Sequence, residues 1–222
     1  MSKDVKYCPA GYYLDEQDYS DDVTNDPTYS YLYCKQLEKG ELWINGVITD
    51  ETIGKINLGL NYLNGKDDVD IIKLYINSRG GSMFPALACT DFIRTIQKPV
   101  VTVVTGIAFS GAFFIYMAGD VRLAYPFSAF MIHDQVIEFA NGYRGSLHRE
   151  LHFQDAFNNK MAEFLSDRSK LDLEECRKWV NEEYDIYMNS DLAIAKGVAH
   201  KIIEPKTEIN LEDVLRKVGN VR

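Results

Sequence analysis

Three side chains that together could carry out acyl transfer lie far apart in the sequence, at Ser110, His133 and Asp185. Ser110 stands in GIAFSGA, between a predicted strand and a predicted helix, where free backbone N–H groups and the helix dipole favour negative charge. Such a position suits a nucleophile whose attack creates an oxyanion. A serine at a helix start is also a common N-cap, so this segment alone leaves both roles open.

The other members of this set are equally ambiguous one by one. His133 ends the apolar run AFMIH, at the carboxyl end of a predicted strand, where α/β proteins place their sites. It also fits a structural histidine, and Asp185, in EEYDIYMNS, also fits a solvated acid. The turn glycines Gly80 and Gly81 and the helix-start Gly111 supply backbone N–H groups. Together these residues form the inventory for acyl transfer through a covalent intermediate.

The remaining histidines do not predict a metal site. His148 and His152 are spaced i, i+4 on a predicted helix and could share an ion. However, HRELH lacks the adjacent glutamate of H-E-x-x-H zinc peptidases, and the sequence offers no third ligand. We therefore expect a solvent-facing pair, and a structural role for His200 in the last predicted strand.

The overall composition fits one soluble globular domain. The 222 residues are 46% hydrophobic and 26% charged, which is enough apolar material for a real core. A net charge of −9 argues against nucleic acids or anionic membranes as partners, since either needs a basic face. The N-terminus shows no apolar h-region, so we expect no secretory signal. The cysteines form no C-x-x-C pair, which predicts reduced thiols in a cytoplasmic or organelle-like compartment (Cys8, Cys34, Cys89 and Cys176).

One uncharged segment, residues 100–119, is long enough to span a bilayer. It is interrupted by Gly106, Ser110 and Gly111 and lacks basic or aromatic flanking anchors. A buried strand, a glycine turn and an apolar helix give the same hydropathy, and we favour that interpretation.

Alternating strand and helix patterns predict an α/β fold with a mostly parallel sheet. Residues 1–36 are polar, acidic and without a period, which predicts an irregular arm. Asp50 is the expected N-cap of the first helix, which Gly65 would end in a left-handed conformation, and Asp191 is the expected cap of a short later helix. Predicted strands cover 41–48, 70–77, 100–104, 122–125, 129–133 and 198–203, with a turn at 78–81, a loop at 134–145, and helices at 50–63, 84–96, 113–118, 146–167, 172–183 and 192–196.

In this order, the motifs resemble the proteolytic subunit of the Clp protease, a serine peptidase family. LYINSRGG is similar to the family's YINSPGG, GIAFSGAF to its G-x-A-A-S-M-G-A, and FMIH to its V-M-I-H. YDIYMNSDLAIAKGVAHKII resembles the stretch that carries the family's catalytic aspartate, and GYRG resembles the GYQG that opens its long handle helix. The resemblance runs from about Glu41 to Glu204.

The resemblance implies a ClpP/crotonase-like fold with a protruding handle helix and a serine endopeptidase that needs no cofactor. By motif position, Ser110 is the nucleophile, His133 the general base and Asp185 the residue that orients it. Gly81 and Gly111 correspond to the oxyanion-hole donors, and Gly80 supports their turn. The implied domains are an arm at 1–38, near an axial pore, a peptidase domain at 39–205 with the handle at about 134–167, and a tail at 206–222.

The resemblance also implies an assembly. Family members form two stacked heptameric rings, a homo-oligomeric tetradecamer, whose sites face an internal chamber. An AAA+ unfoldase feeds polypeptide substrates into that chamber, and the family has neither a nucleic acid nor a membrane as its partner.

Three departures from the family pattern leave alternatives open. Arg79 replaces the proline before Gly-Gly, the usual methionine after the nucleophile is missing, and the loop at 134–141 is longer. The direct Ser-Gly sequence also resembles signal peptide peptidases of the SppA type, which use a Ser-Lys dyad, but the FMIH and YD motifs favour the Clp family over that relative. The alternatives to an active Clp-type peptidase are a catalytically silent ring subunit and a crotonase-fold acyl-CoA enzyme.

Overall fold

The computed structural model describes residues 27–134, 144–181, 184–204 and 216. Helices and strands alternate through the first half of this chain, and helices dominate the second. In order, the elements are α1 (Pro27–Glu38), β1 (Glu41–Ile48), α2 (Asp50–Asn64), β2 (Ile72–Gly81), α3 (Met83–Thr95), β3 (Val100–Phe109), α4 (Gly111–Ala118), β4 (Val121–Ala124), β5 (Ala129–Ile132), α5 (Arg144–Arg168), α6 (Leu173–Asn181), β6 (Ile186–Asn189), α7 (Ser190–Ala195) and β7 (Lys201–Ile202).

The described strands form one seven-stranded sheet, with the path β1-β2-β3-β4-β7 and all neighbours on this path parallel. Strand β5 pairs in parallel with the far end of β3, and β6 pairs with β5 as the antiparallel exception. The prediction of an α/β fold with a mostly parallel sheet is confirmed. Its parallel strands bring several carboxyl ends to one edge of the sheet, which is where α/β proteins carry their sites.

The main core lies on one face of this sheet, under helices α2, α3 and α4. Strand β3 serves both faces, because Val100 and Val104 join the main core while Val101 and Val103 join a smaller cluster on the other side. Every residue of α4 is buried. Residues 100–119 therefore form strand β3 and helix α4, and no helix in the described ranges is long and apolar enough to cross a membrane.

Two arginines, the buried Arg122 and the half-buried Arg168, connect the C-terminal end of α4 to the rest of the fold. Arg168, at the end of α5, donates from Nε to the carbonyl of Met117 at 2.5 Å and from Nη2 to that of Gly119 at 2.6 Å. A cation at these carbonyls stabilises the C-terminal end of the helix. Arg122 Nη2 in turn donates to the carbonyl of Arg168 at 2.6 Å.

His200 completes this buried cluster. Its Nδ1 accepts a hydrogen bond from the backbone N–H of Arg122 at 3.1 Å. Burial, reinforced by the positive charges of Arg122 and Arg168, lowers the pKa of His200 to about 3. The structural role expected for this histidine agrees with these contacts.

The structure corrects the expected arm. Residues 27–38 form helix α1 rather than irregular chain, because Tyr33 and Leu37, one turn apart, both pack into the main core. Two apolar contacts in a polar, tyrosine-rich stretch give too weak a period to read from sequence. Residues 1–26 and most of the tail lie outside the described chain, as does the loop at 135–143.

The predicted ends of several elements are also wrong. The turn expected at 78–81 belongs to β2, which runs on to Gly81, and β3 continues to Phe109. Helix α4 begins at Gly111, two residues before the predicted start, and α5 begins at Arg144. The last strand covers only Lys201–Ile202. Both long strands extend past their apolar runs because they keep backbone pairing through polar and glycine residues.

The capping residues predicted for helices α2 and α7 are also wrong. Thr49, not Asp50, caps α2, through a reciprocal capping box with Thr52. Gly65 ends that helix with φ −87°, in the right-handed rather than the left-handed region. Asn189, not Asp191, caps α7 by accepting a hydrogen bond from the N–H of Leu192 at 2.9 Å.

Candidate active site

The ends of β3 and β5 lie side by side and bring Ser110 to His133. The two strands pair in parallel, with Phe109 opposite Met131, and Ser110 and His133 follow directly after these strands. The backbone N–H of Ser110 donates to the carbonyl of Met131 at 2.8 Å and fixes this alignment. Residues 23 positions apart in sequence therefore meet at one edge of the sheet.

The serine hydroxyl lies against the imidazole, with 2.8 Å between Ser110 Oγ and His133 Nε2. This is the distance needed for an imidazole to accept the hydroxyl proton. Ser110 makes no side-chain cap to α4, so the alternative role of an N-cap finds no support in the contacts. Both side chains are partly exposed, which leaves the pair open to a substrate.

Ser110 adopts φ +53° and ψ −124°, and no other non-glycine residue among those described has a positive φ. For a residue with a Cβ, this backbone costs of order 1–3 kcal/mol and persists only where neighbours enforce it. The sharp turn directs the side chain away from the axis of α4 and toward His133. Strain stored at this residue is typical of a nucleophile on a strand-to-helix turn.

Gly80 is pressed against the turn that carries Ser110. It has φ +94°, and a Cβ added there would lie 2.6 Å from the carbonyl oxygen of Phe109 and 2.8 Å from Ser110 Cβ. The same Cβ would lie 3.1 Å from the backbone nitrogen of Gly111. A residue with any side chain would displace the serine, so Gly80 suits the supporting role expected for it.

Ser78 is a site residue that sequence reasoning missed. Its hydroxyl accepts from the N–H of Gly80 at 3.0 Å and donates to the carbonyl of Gly46 at 2.6 Å, and its residue is 1% exposed. The N–H of Gly80 is therefore occupied and cannot serve an oxyanion. The only available signal was a serine two residues before a glycine pair, which is common in ordinary turns.

Gly81 and Gly111 are the two glycines whose N–H groups are expected to donate to an oxyanion, and both occupy positions that favour glycine. Gly81 has φ +149°, and a Cβ there would lie 2.3 Å from the carbonyl oxygen of Ile48, so its backbone conformation requires glycine. Gly111 is the first residue of α4, where a backbone N–H has no partner within the helix. A Cβ at Gly111 would lie 2.9 Å from that of Ala86, which also favours glycine.

Asp185 lies next to His133 in the backbone, but its carboxylate does not reach the imidazole. The antiparallel β5–β6 ladder ends with Ile132 opposite Ile186, so the next position places His133 opposite Asp185. Among the described residues, no hydrogen bond or ion pair joins these two side chains. The Asp185 Oδ2 atom instead accepts from the hydroxyl of Tyr187 at 3.0 Å.

Tyr187 was not anticipated as part of the site. Its ring packs edge-on against Phe109, with 5.7 Å between centroids, and its side chain is largely exposed. The hydrogen bond to Asp185 raises the pKa of Tyr187, while the positive charge of nearby Arg79 opposes that shift. Arg79 thus lies on the Tyr187 side of the site, beside the glycine turn.

A polar contact ties the long helix to the strand end that carries His133. Asn158 of α5, only 5% exposed, donates to Asp134 Oδ1 at 3.1 Å and to Asn181 Oδ1 at 2.8 Å. Asp134 directly follows the histidine, so α5 and α6 both constrain this segment. Sequence reasoning did not find Asn158, because an asparagine in an amphipathic helix has no distinguishing spacing.

The two histidines that were considered as metal ligands lie on α5. His148 and His152 both fall within α5, and the side chain of His152 is exposed. Among the described residues, no three histidine, cysteine, aspartate or glutamate side chains form a group that could hold an ion.

A serine hydroxyl hydrogen-bonded to an imidazole, at the strand ends of a parallel α/β sheet and beside glycine amides, is the arrangement of serine hydrolases. Within that class, the chain belongs to the Clp protease family. The family model described as Clp protease matches residues 25–206. The family predicted from the motifs is therefore confirmed, and membership indicates a peptidase.

Two curated relatives carry the description "ATP-dependent Clp protease proteolytic subunit". The protein from Carsonella ruddii (strain PV) is 30% identical over 179 residues, which cover 79% of this chain and 89% of the relative. The protein from Pleurastrum terricola is 40% identical over 107 residues, which cover 47% of this chain. That second match spans about half of the relative's own length, at 53%.

Proposed function

We propose that this chain is a serine endopeptidase that hydrolyses peptide bonds through an acyl-enzyme on Ser110. The 2.8 Å hydrogen bond between Ser110 Oγ and His133 Nε2 carries the proposal, because it joins the two groups that acyl transfer needs. The strained turn at Ser110 and the glycine turn pressed against it support the same chemistry.

The proposed reaction has two halves. His133 accepts the hydroxyl proton as Ser110 Oγ attacks the peptide carbonyl, and the N–H groups of Gly81 and Gly111 stabilise the oxyanion. The imidazolium then protonates the leaving amine, which departs and leaves an ester on Ser110. Water, deprotonated by the same imidazole, hydrolyses this ester and restores the free hydroxyl. Asp185 stabilises the imidazolium once its carboxylate reaches His133.

We propose that the site works within a closed assembly of this chain, as two stacked heptameric rings fed by an AAA+ unfoldase. The family membership and the name shared by the two relatives support this. Helix α5, with 25 residues, is the candidate handle: Arg149 and residues 151–153 of its first half are exposed, whereas Met161, Ala162 and Leu165 join the core. Exposed apolar side chains on that half, Leu151 and Phe153, suit a contact between subunits.

One specific observation favours a second candidate, a catalytically silent ring subunit. In the described chain the Asp185 carboxylate makes no hydrogen bond or ion pair with His133 and accepts a hydrogen bond from Tyr187 instead. A triad without its third member loses much of its rate, because the imidazolium is left unstabilised.

Peptide hydrolysis separates the two candidates. The purified chain should cleave a fluorogenic peptide, and Ser110→Ala, which removes only the hydroxyl, should reduce the rate at least about 1,000-fold. Ser110→Ala, purified in the same way as the wild-type chain, also controls for contaminating peptidases. A wild-type chain that assembles into rings but cleaves no faster than Ser110→Ala is a silent subunit, and the proposal is then wrong.

A further inference from the structure

The Asp185 carboxylate accepts a hydrogen bond from Tyr187, although the proposed peptidase function requires it at His133. The inference that follows rests on that proposed function. We infer that Tyr187 is a positioning residue: its hydroxyl retains Asp185 in a conformation that leaves the imidazole unsupported, and release of that hydrogen bond completes the triad. The step changes no covalent bond. One hydrogen bond to the carboxylate is replaced by another.

The register of the strands makes the exchange short. His133 and Asp185 occupy opposite positions at the end of the β5–β6 ladder, one step beyond the pair Ile132 and Ile186. Side chains at opposite positions of an antiparallel pair have Cβ atoms about 4.5–5.5 Å apart. A rotation about the side-chain bonds of Asp185 therefore suffices to move its carboxylate from Tyr187 toward His133, without any change of fold.

The position of Tyr187 makes its hydroxyl a persistent competitor. Its ring is held edge-on by Phe109, the residue directly before the serine, with 5.7 Å between centroids. The hydroxyl donates to Asp185 Oδ2 at 3.0 Å, and a bond to an ionised acceptor is stronger than a neutral one. The hydrogen bond to Asp185 raises the pKa of Tyr187, so the phenol keeps the proton that it donates.

The other half of the site is already assembled. Ser110 and His133 are in hydrogen-bond contact at 2.8 Å, and the serine turn and glycine turn are packed together. Only the carboxylate is out of position. The difference between the resting and the competent geometry is therefore a choice between two hydrogen-bond donors, the Tyr187 hydroxyl and the His133 imidazole, for one carboxylate.

Tyr187→Phe tests the inference, because it removes the hydroxyl and keeps the ring that packs on Phe109. Tyr184→Phe is the matched control: Tyr184 is also exposed and directly precedes Asp185, and within the described chain its hydroxyl makes no hydrogen bond to the Asp185 carboxylate. We expect kcat for a short fluorogenic peptide to rise about three-fold to ten-fold in Tyr187→Phe, with KM little changed, and neither to change in Tyr184→Phe. If the wild-type chain hydrolyses the peptide, a fall in kcat or an unchanged kcat in Tyr187→Phe would overturn the inference.

A second readout does not depend on activity. In the Ser110→Ala background, the imidazole of His133 can be titrated by NMR, and a His133→Gln variant assigns its signal among the four histidines. Adding Tyr187→Phe should move the titration midpoint to higher pH by roughly one unit, because a carboxylate then stabilises the imidazolium. Arg79 and Asp134, which are charged side chains at this end of the described strands, are unchanged in all variants.

The double variant with Asp185→Asn identifies the route of the effect. If Tyr187 acts through Asp185, then Tyr187→Phe changes neither kcat nor the titration midpoint once the carboxylate is gone. An effect that persists in Asp185→Asn would overturn the inference. A midpoint shift without measurable hydrolysis by any variant would uphold the positioning role while refuting the proposed peptidase function, so the two failures are distinguishable.

Discussion

Ser110 and the backbone pressed against it have little freedom to change. The serine keeps a positive φ because two neighbours restrict its backbone. Its N–H donates to the carbonyl of Met131, and Gly80 packs directly against the turn at Phe109 and Ser110. Substitutions at these contacts should therefore act on the geometry of the hydroxyl before they act on the fold. Gly80 gives the clearest test, because it packs most tightly against the serine turn.

Gly80→Ala should abolish hydrolysis. The added Cβ would lie within 2.6 Å of the Phe109 carbonyl oxygen and 2.8 Å of Ser110 Cβ, at a φ of +94° that alanine disfavours. We expect a loss of activity of at least about 100-fold, since small misplacements of a catalytic group have effects of this size. Gly54→Ala is the control, because nothing lies within 4 Å of its added Cβ. Hydrolysis by Gly80→Ala at the rate of Gly54→Ala would contradict this geometry.

His200 should make stability pH-dependent. Its pKa is about 3 in the folded chain and about 6.5 when unfolded, so the unfolded state binds more protons between these values. The stability it contributes is present above pH 6.5 and is lost as the pH falls toward 3. His200→Asn keeps an acceptor for the N–H of Arg122 but does not titrate in this range.

Chemical denaturation at a series of pH values measures this effect. Relative to His200→Asn, the wild-type chain should lose about 1–3 kcal/mol of unfolding free energy between pH 7.5 and pH 4, a range reduced for partial solvent exposure. Parallel pH dependence of the two proteins would show that His200 is protonated at no cost in the fold.

The sequence predicted the residues of the site better than their contacts. Ser110 and His133 could be identified because each ends an apolar strand run, and parallel strands align such ends. The orientation of Asp185 could not, because it depends on a side-chain rotation and on a tyrosine with no distinctive spacing. Ser78 was missed for a similar reason, since its hydroxyl acts on backbone groups of another strand.

The elements were predictable where apolar periods were strong. The sheet strands and helices α2, α3 and α5 follow from hydrophobic patterns, whereas α1 depends on two core contacts and the ends of β2 and β3 on backbone pairing. The antiparallel β5–β6 pair, which brings Asp185 opposite His133, follows from tertiary packing that a sequence pattern does not encode. Helix α4 is positioned at its far end by Arg168, which gives a test at this level.

Arg168→Lys should destabilise the fold. Lysine keeps the charge near the end of α4 but cannot reproduce the forked contacts to Met117 and Gly119. We expect a loss of about 1–3 kcal/mol in thermal or chemical unfolding. Arg94→Lys is the control, because its guanidinium lies over the same Phe164 ring but its ion pair with Asp91 is exposed. An equal effect of the two substitutions would contradict a capping role for Arg168.

At the scale of the whole molecule, the first half of α5 carries apolar side chains, Leu151 and Phe153, that the described residues leave exposed. If α5 joins two heptameric rings, native mass spectrometry should give about fourteen times the 25.4 kDa chain mass. Phe153→Asp introduces a charge into this surface, where Phe153 is 49% exposed in the single chain, and should yield half that mass. A wild-type chain that stays monomeric at micromolar concentration would contradict the proposed assembly.

Labelling by a fluorophosphonate examines the proposed nucleophile itself. The reagent phosphonylates a serine only where a neighbouring base activates the hydroxyl, so the wild-type chain should take up one adduct, mapped to Ser110 by peptide mass spectrometry. His133→Gln should slow the labelling strongly, and Ser110→Ala should prevent it. An assembled wild-type protein with no adduct at Ser110 would contradict the acyl-enzyme mechanism and leave only the shared fold.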